Sequence, residues 1–334
     1  MKNKSIFITG GAGYVGSRLV PELLKIGYKV TVFDIMYFGY DFLPKSSNLK
    51  IIKGDIRDTS KLESDCKNHD IFLHLACISN DTSFQLDEKL STSINLSAFE
   101  PMVLAAKKSK IKRFIYASTS SVYGVSEQKD VKEDHSLLPL TLYNKYKGLC
   151  EPLLLKHTDK NFEGVIFRPA TVCGYALRQR FDLSVNILTN HAINKKKITV
   201  FGGDQLRPNL HILDYCDAVK TLILADSDKI SNQIFNVGYQ NMSITEIAKV
   251  VQKVVQEKFP EFGSIPIMTT KSDDNRSYHI NSDKIKKILD FQPTRSVEDA
   301  VKELCNCFKN NLFKNTFEDD FYFNVKRLKK LNAS

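Results

Sequence analysis

The sequence predicts an α/β protein, a doubly wound parallel sheet with a smaller α+β substrate-binding lobe after it. Three observations carry that expectation. Short apolar runs alternate with helical periodicity through the first half of the chain. The first run ends in closely spaced glycines that open a helix. The alternation then loosens beyond residue 170.

Residues 4–9 (KSIFIT) are a short apolar run of the kind buried in a parallel strand. Residues 14–25 place Val15, Leu19 and Leu23 on one helical face, with Gly27 as the stop. Residues 29–33 form the next strand and deliver Asp34 at its end. Residues 49–52, 70–75 and 113–117 continue the series, with helices expected over 93–109 and 143–157 and a strand over 162–168. Pro152 falls inside the 143–157 helix, so a kink or break is expected there. Alternating strands and helices imply right-handed βαβ crossovers. Beyond residue 170, strands at 198–201, 233–237 and 265–269 mix with helices near 183–194, 243–257, 282–290 and 296–309. The expected division is a first lobe over 1–170, receiving a strand and helix from about 212–238, and a second lobe over 171–334. Residues 315–334, charged and aromatic, fit neither pattern.

Composition removes several classes of function. With 42% hydrophobic and 26% charged residues the chain is neither disordered nor coiled coil. No apolar run approaches the roughly 18 residues of a membrane span, and the N-terminus lacks a secretory pattern. Seven cysteines, scattered without CxxC pairs, read as reduced thiols of a cytoplasmic protein, with no metal site. Cys77 and Cys173 are expected to be buried and inert. The net charge of +10 is spread among acids, with dense clusters only at 195–197 and 326–330. No basic stripe interleaved with aromatics points to nucleic acid.

Two motifs carry chemistry. Gly10, Gly13 and Gly16 follow the first strand and open the first helix, so the backbone can approach a pyrophosphate. The N–H groups of the opening turn, at Tyr14 and Val15, face it. Asp34 stands 18 residues after Gly16, close to the interval of roughly 20 expected for a carboxylate on ribose hydroxyls. A carboxylate there repels a 2′-phosphate, so the cofactor is expected to be NAD on a Rossmann lobe. The second motif is Tyr143-Asn144-Lys145-Tyr146-Lys147. Spacing i, i+4 places Tyr143 and Lys147 on one helical face, where the ammonium would lower the phenol pKa for acid/base work. A hydroxyl from 118–121 could hold the substrate oxygen, and Tyr146 is expected to line the pocket.

TGGAGYVG, Asp34, Gly54-Asp55, His74-Leu75-Ala76, STSSVYG and YxxxK, in this order, resemble the extended short-chain dehydrogenase/reductases, specifically the nucleotide-sugar epimerases and dehydratases. The resemblance spans nearly the whole chain. It implies that Tyr143 moves the hydroxyl proton, Lys147 binds the nicotinamide ribose, and Thr119 hydrogen-bonds the reacting oxygen. It also implies that Asp55, Ile56, Leu75, Ala76 and Asn95 contact NAD. Ser120, Ser121, Asn186, Arg207 and Arg276 fall where the family holds the nucleotide-diphosphate sugar. Arginine suits that task because its planar fork binds phosphate oxygens in pairs. A homodimer through the helices near 93–109 and 143–157 is likewise implied, with Leu149, Leu153 and Leu154 available for the seam.

The departures narrow the chemistry. Where the 4,6-dehydratases carry Asp-Glu directly after the threonine, this chain has Ser120-Ser121. The decarboxylases place Glu, and the 3,5-epimerases of GDP-mannose type Cys, where Ser121 stands. What is left is oxidation and reduction at sugar C4. The expected function is an NAD-dependent nucleotide-sugar 4-epimerase working through a 4-keto sugar. The alternative is a 4-dehydrogenase or 4-ketoreductase, since residues 178–186 (RQRFDLSVN) are similar to GDP-heptose 4-dehydrogenase-type enzymes.

Overall fold

The structure is a computed structural model and describes residues 4–126, 128, 130–271 and 277–332. β1 (Ser5–Thr9) leads to α1 (Tyr14–Lys25), β2 (Lys29–Asp34), β3 (Leu49–Lys53), α2 (Thr59–Cys66) and β4 (Ile71–His74). Then come α3 (Asp81–Phe84), α4 (Glu88–Thr92), a π-helical turn (Ser93–Ser97), α5 (Phe99–Lys108) and β5 (Arg113–Ala117). After a 3-10 turn (Ser120–Tyr123) follow α6 (Leu142–Leu155), β6 (Glu163–Pro169), β7 (Thr171–Cys173), α7 (Ser184–Lys195), β8 (Ile198–Phe201) and β9 (Leu206–His211). The chain goes on through α8 (Ile212–Leu224), α9 (Ser227–Ile230), β10 (Gln233–Val237), β11 (Gln240–Ser243), α10 (Ile244–Lys258) and β12 (Ile267–Thr270). It ends with α11 (Asp283–Leu289), α12 (Val297–Lys309) and α13 (Asn324–Leu331).

Seven strands form one parallel sheet in the order β10-β6-β5-β4-β1-β2-β3. Their near-continuous apolar runs bury both faces, as a parallel sheet requires. On one side Leu19 and Leu23 of α1 and Val219 and Leu222 of α8 pack on the sheet. On the other, Leu62 of α2, Met102 of α5 and Leu154 of α6 do so. Strand order reverses between β1 and β4, so a crevice opens beyond their carboxyl ends, the place where open α/β sheets bind ligands. The second lobe has a core of its own, with Val185, Val251 and Val301 from α7, α10 and α12.

Some local expectations differ. The expected 93–109 helix is interrupted by the π-turn, whose wider coil lets Asn95 turn inward. α6 runs unbroken through Pro152, near its end, where a missing N–H costs only one hydrogen bond. Leu154 is fully buried in the first lobe and so is unavailable for a dimer seam. The unassigned tail forms a 3-10 turn at Asp320–Tyr322 and then α13.

Candidate active site

The glycine loop is built as its spacing requires. Gly10 has φ +77°, and a Cβ there would lie 2.5 Å from the Ala76 nitrogen, so the loops after β1 and β4 touch only because Gly10 has no side chain. A Cβ on Gly16 would sit 2.4 Å from the Gly11 carbonyl. Gly13 stands at the cap of α1 with no side chain to close it, and the first turn holds no acid, which leaves the helix's positive end open to the cleft. Asp34 closes the far side. Its carboxylate accepts from Ala12 N at 3.0 Å and Met36 N at 2.8 Å, and burial nevertheless raises its pKa.

The residues expected to carry the chemistry converge at the carboxyl ends of β4 and β5. Thr141 caps α6, its hydroxyl donating to Asp81 at 2.5 Å, and Tyr143 enters the cleft from the first turn. Lys147 lies one turn on, its ammonium donating to the Ala117 carbonyl at 2.5 Å and lying 4.7 Å from the Tyr116 ring centroid. Thr119 follows two residues later on the same β5 loop. Ser121 N–H donates to the Thr119 oxygen at 3.2 Å, the two hydroxyls lie 2.8 Å apart, and Ser121 Oγ donates to Asn144 Oδ1 at 2.6 Å. Thr119 is thus held by a hydrogen-bond chain that begins at Asn144, beside Tyr143. Ser120 is buried, 3.5 Å from the Tyr278 hydroxyl.

The expected effect of Lys147 on Tyr143 is not what governs the phenol in this state. Burial dominates and holds the Tyr143 pKa well above its ordinary value. Cys77 and Asp81 push it further up, and Arg180 is the cation that acts against them. Lys147 spends its charge beside Ala117, Tyr116 and His74. Burial, and then Lys147, holds the His74 imidazole well below its usual pKa. That ring accepts from or donates to Thr9 Oγ1 at 2.7 Å, a packing role at the strand end.

One cleft of about 650 Å³ is lined by Gly10, Gly13, Tyr14, Val15, Gly16, Asp34, Asp55, Ile56, Leu75 and Ala76 together with Thr119, Ser120, Ser121, Tyr143, Lys147 and Arg207. Two expected contacts stand behind its wall. Asn95 is turned onto Ile78, accepting from its N–H at 2.8 Å and donating to its carbonyl at 2.9 Å. Its amide therefore holds the loop after β4. Asn186 is fully buried, with Oδ1 on Gly174 N and Nδ2 on the Tyr14 hydroxyl and Arg180 carbonyl. Its amide is spent on the wall from behind. Arg276 lies outside the described residues. Tyr146 packs edge-on against Phe84, 5.5 Å between centroids, away from the cleft. Cys77, expected to be buried, is half-buried and lines the cleft, whereas Cys173 is buried as expected.

Several lining residues carry no recognisable spacing. Arg178, its guanidinium 3.5 Å from the Phe38 centroid, is almost wholly buried, and burial followed by the charge of Arg180 lowers its pKa strongly. Arg180 pairs with Asp182 at 2.7 Å. Asn324, from the tail, completes this wall. The only sequence signal for the arginines is their common segment, residues 178–186.

The cleft fits a dinucleotide. It offers an uncapped helix N-terminus, the carboxylate of Asp34 and two guanidinium N–H groups, Arg178 Nε and Arg180 Nη2, that are buried without a partner among the described residues. Buried donors of this kind are costly unless an acceptor such as a diphosphate meets them.

Comparison with known proteins agrees. Residues 6–238 match the model of a family described as the NAD dependent epimerase/dehydratase family. The chain is 25% identical to a UDP-glucose 4-epimerase of Rhizobium meliloti (strain 1021), over 88% of this chain and 93% of that protein. It is 29% identical to a UDP-N-acetyl-alpha-D-glucosaminuronate decarboxylase of Bacillus cytotoxicus, over 92% of this chain and 98% of that one. Among solved structures, a UDP-glucuronic acid 4-epimerase from Bacillus cereus, in complex with UDP-glucuronic acid and NAD, superposes with a TM-score of 0.80 at 28% identity. It covers 92% of this chain and 100% of its own.

Proposed function

The chain belongs to the NAD-dependent epimerase/dehydratase family and is an NAD-dependent enzyme of nucleotide-sugar metabolism, and within that family we propose that it is a nucleotide-sugar 4-epimerase. The observation that carries this reading is the convergence of Thr119, Tyr143 and Lys147 on one cleft with serines at 120 and 121. Oxidation at C4 needs a hydroxyl holder and one acid/base, and both are present. Elimination across C5–C6 needs a second acid/base pair, which two serine hydroxyls do not supply.

Gly10, Gly13, Gly16, the first turn of α1, Asp34, Asp55 and Ile56 would hold NAD, which supplies a reversible hydride acceptor at sugar C4. Tyr143 takes the C4 hydroxyl proton and gives it back once the 4-keto sugar has turned over. Thr119, fixed by Ser121 and Asn144, orients the C4 oxygen. Lys147 ties α6 to the end of β5, which keeps Tyr143 and Thr119 on facing walls. Arg207, on β9 of the second lobe, serves the diphosphate, and its planar fork suits that group.

The test follows sugar and cofactor together. With UDP-glucose, UDP-N-acetylglucosamine or UDP-glucuronic acid, the C4 epimer should appear by NMR with no build-up of NADH absorbance. A 4-keto-6-deoxy product would overturn the reading of the two serines. Stoichiometric NADH would favour the 4-dehydrogenase alternative, including action on a GDP-heptose.

A homodimer through α5 and α6 goes with this reading. Leu104 (46% exposed) and Leu149 (44%) are exposed apolar side chains on those two helices, which pack on each other. Light scattering at micromolar concentration should give twice the chain mass. A monomer would contradict the seam.

A further inference from the structure

The C-terminal segment, which no local pattern explains, crosses from the second lobe to the first and binds together the loops that form one wall of the cleft. It leaves α12 through Phe313, whose ring meets Phe308 and Phe181 at 4.9 and 5.1 Å. The Thr316 hydroxyl donates to Asn190 Oδ1 of α7 at 2.8 Å, and Phe181 N–H donates to the Tyr322 carbonyl at 3.1 Å. The segment then reaches the first lobe, where Phe321 sits edge-on to Phe42 at 5.9 Å and Leu328 enters the core beneath.

Two residues do the joining. Asn324 uses its backbone N–H and both polar atoms of its side chain. Its N–H donates to Asp182 at 3.1 Å, its Oδ1 accepts from Arg178 at 2.6 Å, and its Nδ2 donates to Ser79 Oγ at 2.8 Å. Arg327 donates to the Tyr37 carbonyl at 2.6 Å and pairs with Asp320 at 2.8 Å. Tyr37, Phe38, Ser79, Arg178, Asp182 and Asn324 all line the cleft. Tyr37 and Phe38 follow Asp34, and Arg178 is close enough for its charge to act on that carboxylate. The three loops brought together therefore surround the end of the cleft that Asp34 marks.

We propose that residues 313–328 form a strap across the cofactor cleft, and that Asn324 and Arg327 are positioning residues which keep NAD bound from one turnover to the next. The inference rests on the epimerase reading and deepens it. In 4-epimerisation the C4 carbon is oxidised and then reduced by the same nicotinamide, so electrons balance inside one closed site and no cofactor needs to leave. A net dehydrogenase must exchange its cofactor every cycle, and a strap would slow it.

The test measures cofactor exchange and not turnover. The purified protein, loaded with NAD and desalted, is mixed with excess isotope-labelled NAD, and exchange is followed by native mass spectrometry. Losing several hydrogen-bonded ties should speed release on the order of tenfold or more. Asn324→Ala, Arg327→Ala and the double variant should show this, while melting curves confirm that they remain folded. Lys329→Ala, on the exposed side of α13, should exchange like the parent chain. If saturating NAD restores kcat in the double variant, the loss is one of retention. If the double variant exchanges no faster than the parent, the strap is overturned. Because exchange is read without any sugar, a chain that retains NAD through the strap yet epimerises nothing would sink the epimerase reading alone.

Discussion

Tyr143→Phe should lower kcat by ~10²–10⁴-fold while leaving the fold and bound NAD in place. The substitution removes only the hydroxyl, and the ring keeps its packing at the start of α6. The neighbouring carboxylate, Asp81, is engaged by the Thr141 hydroxyl at the helix cap. The same geometry sets the direction of the pH response. Burial holds the phenol well above its ordinary pKa, so the neutral form prevails at pH 7 and the base form grows with pH. The kcat/KM of the parent enzyme should therefore climb from pH 6 to pH 9. Cations brought close to the phenol shift that climb to lower pH without reversing it. NMR assay of the sugar, with NAD counted after extraction, checks both points. Activity of Tyr143→Phe within a few-fold of the parent would remove Tyr143 from the reaction. A rate that falls across this range would show that the phenol is not the base.

The parts of this site that were legible in the sequence are those whose geometry is local. Gly10, Gly13 and Gly16 are required by one turn and one helix start, and Asp34 by the length of one βα unit. Their spacing encodes their placement. Tyr143 and Lys147 share a helix face for the same reason. What the spacing could not show is where the Lys147 ammonium points, since that depends on the Ala117 carbonyl from a strand thirty residues earlier. Asn95 and Asn186 illustrate a second limit. An amide satisfies buried backbone groups as readily as it meets a ligand, and here both are fully engaged behind the wall. Asn324 is the extreme case. Its partners Ser79, Arg178 and Asp182 lie more than 140 residues away in the chain, so no local pattern marks it.

Arg168→Met should cost about 3–5 kcal/mol of stability, the usual result of stranding one partner of a buried ion pair. Glu151 continues the α6 face of Tyr143 and Lys147 at i+8, and its carboxylate is as deeply buried as the Arg168 guanidinium from β6. Arg168 Nε and Nη2 donate to it at 2.9 and 2.6 Å, and the Ser118 hydroxyl donates to it at 2.6 Å. Arg168 Nη1 donates to the Tyr123 hydroxyl at 2.6 Å on the other side of the same loop. The pair thus pins α6, which carries Tyr143, to the β5 loop, which carries Thr119. Stability and catalysis should separate here. Glu151→Leu combined with Arg168→Met replaces the pair by apolar packing and should recover much of the stability, as buried pairs often allow. It leaves the Ser118 hydroxyl without its acceptor, so Thr119 is held less firmly and kcat should stay below that of the parent. Urea unfolding of the single and double variants, with sugar turnover measured on each, gives both quantities. A single variant that loses less than 1 kcal/mol would show that the pair adds little, and a double variant with full kcat would show that it does not position the site.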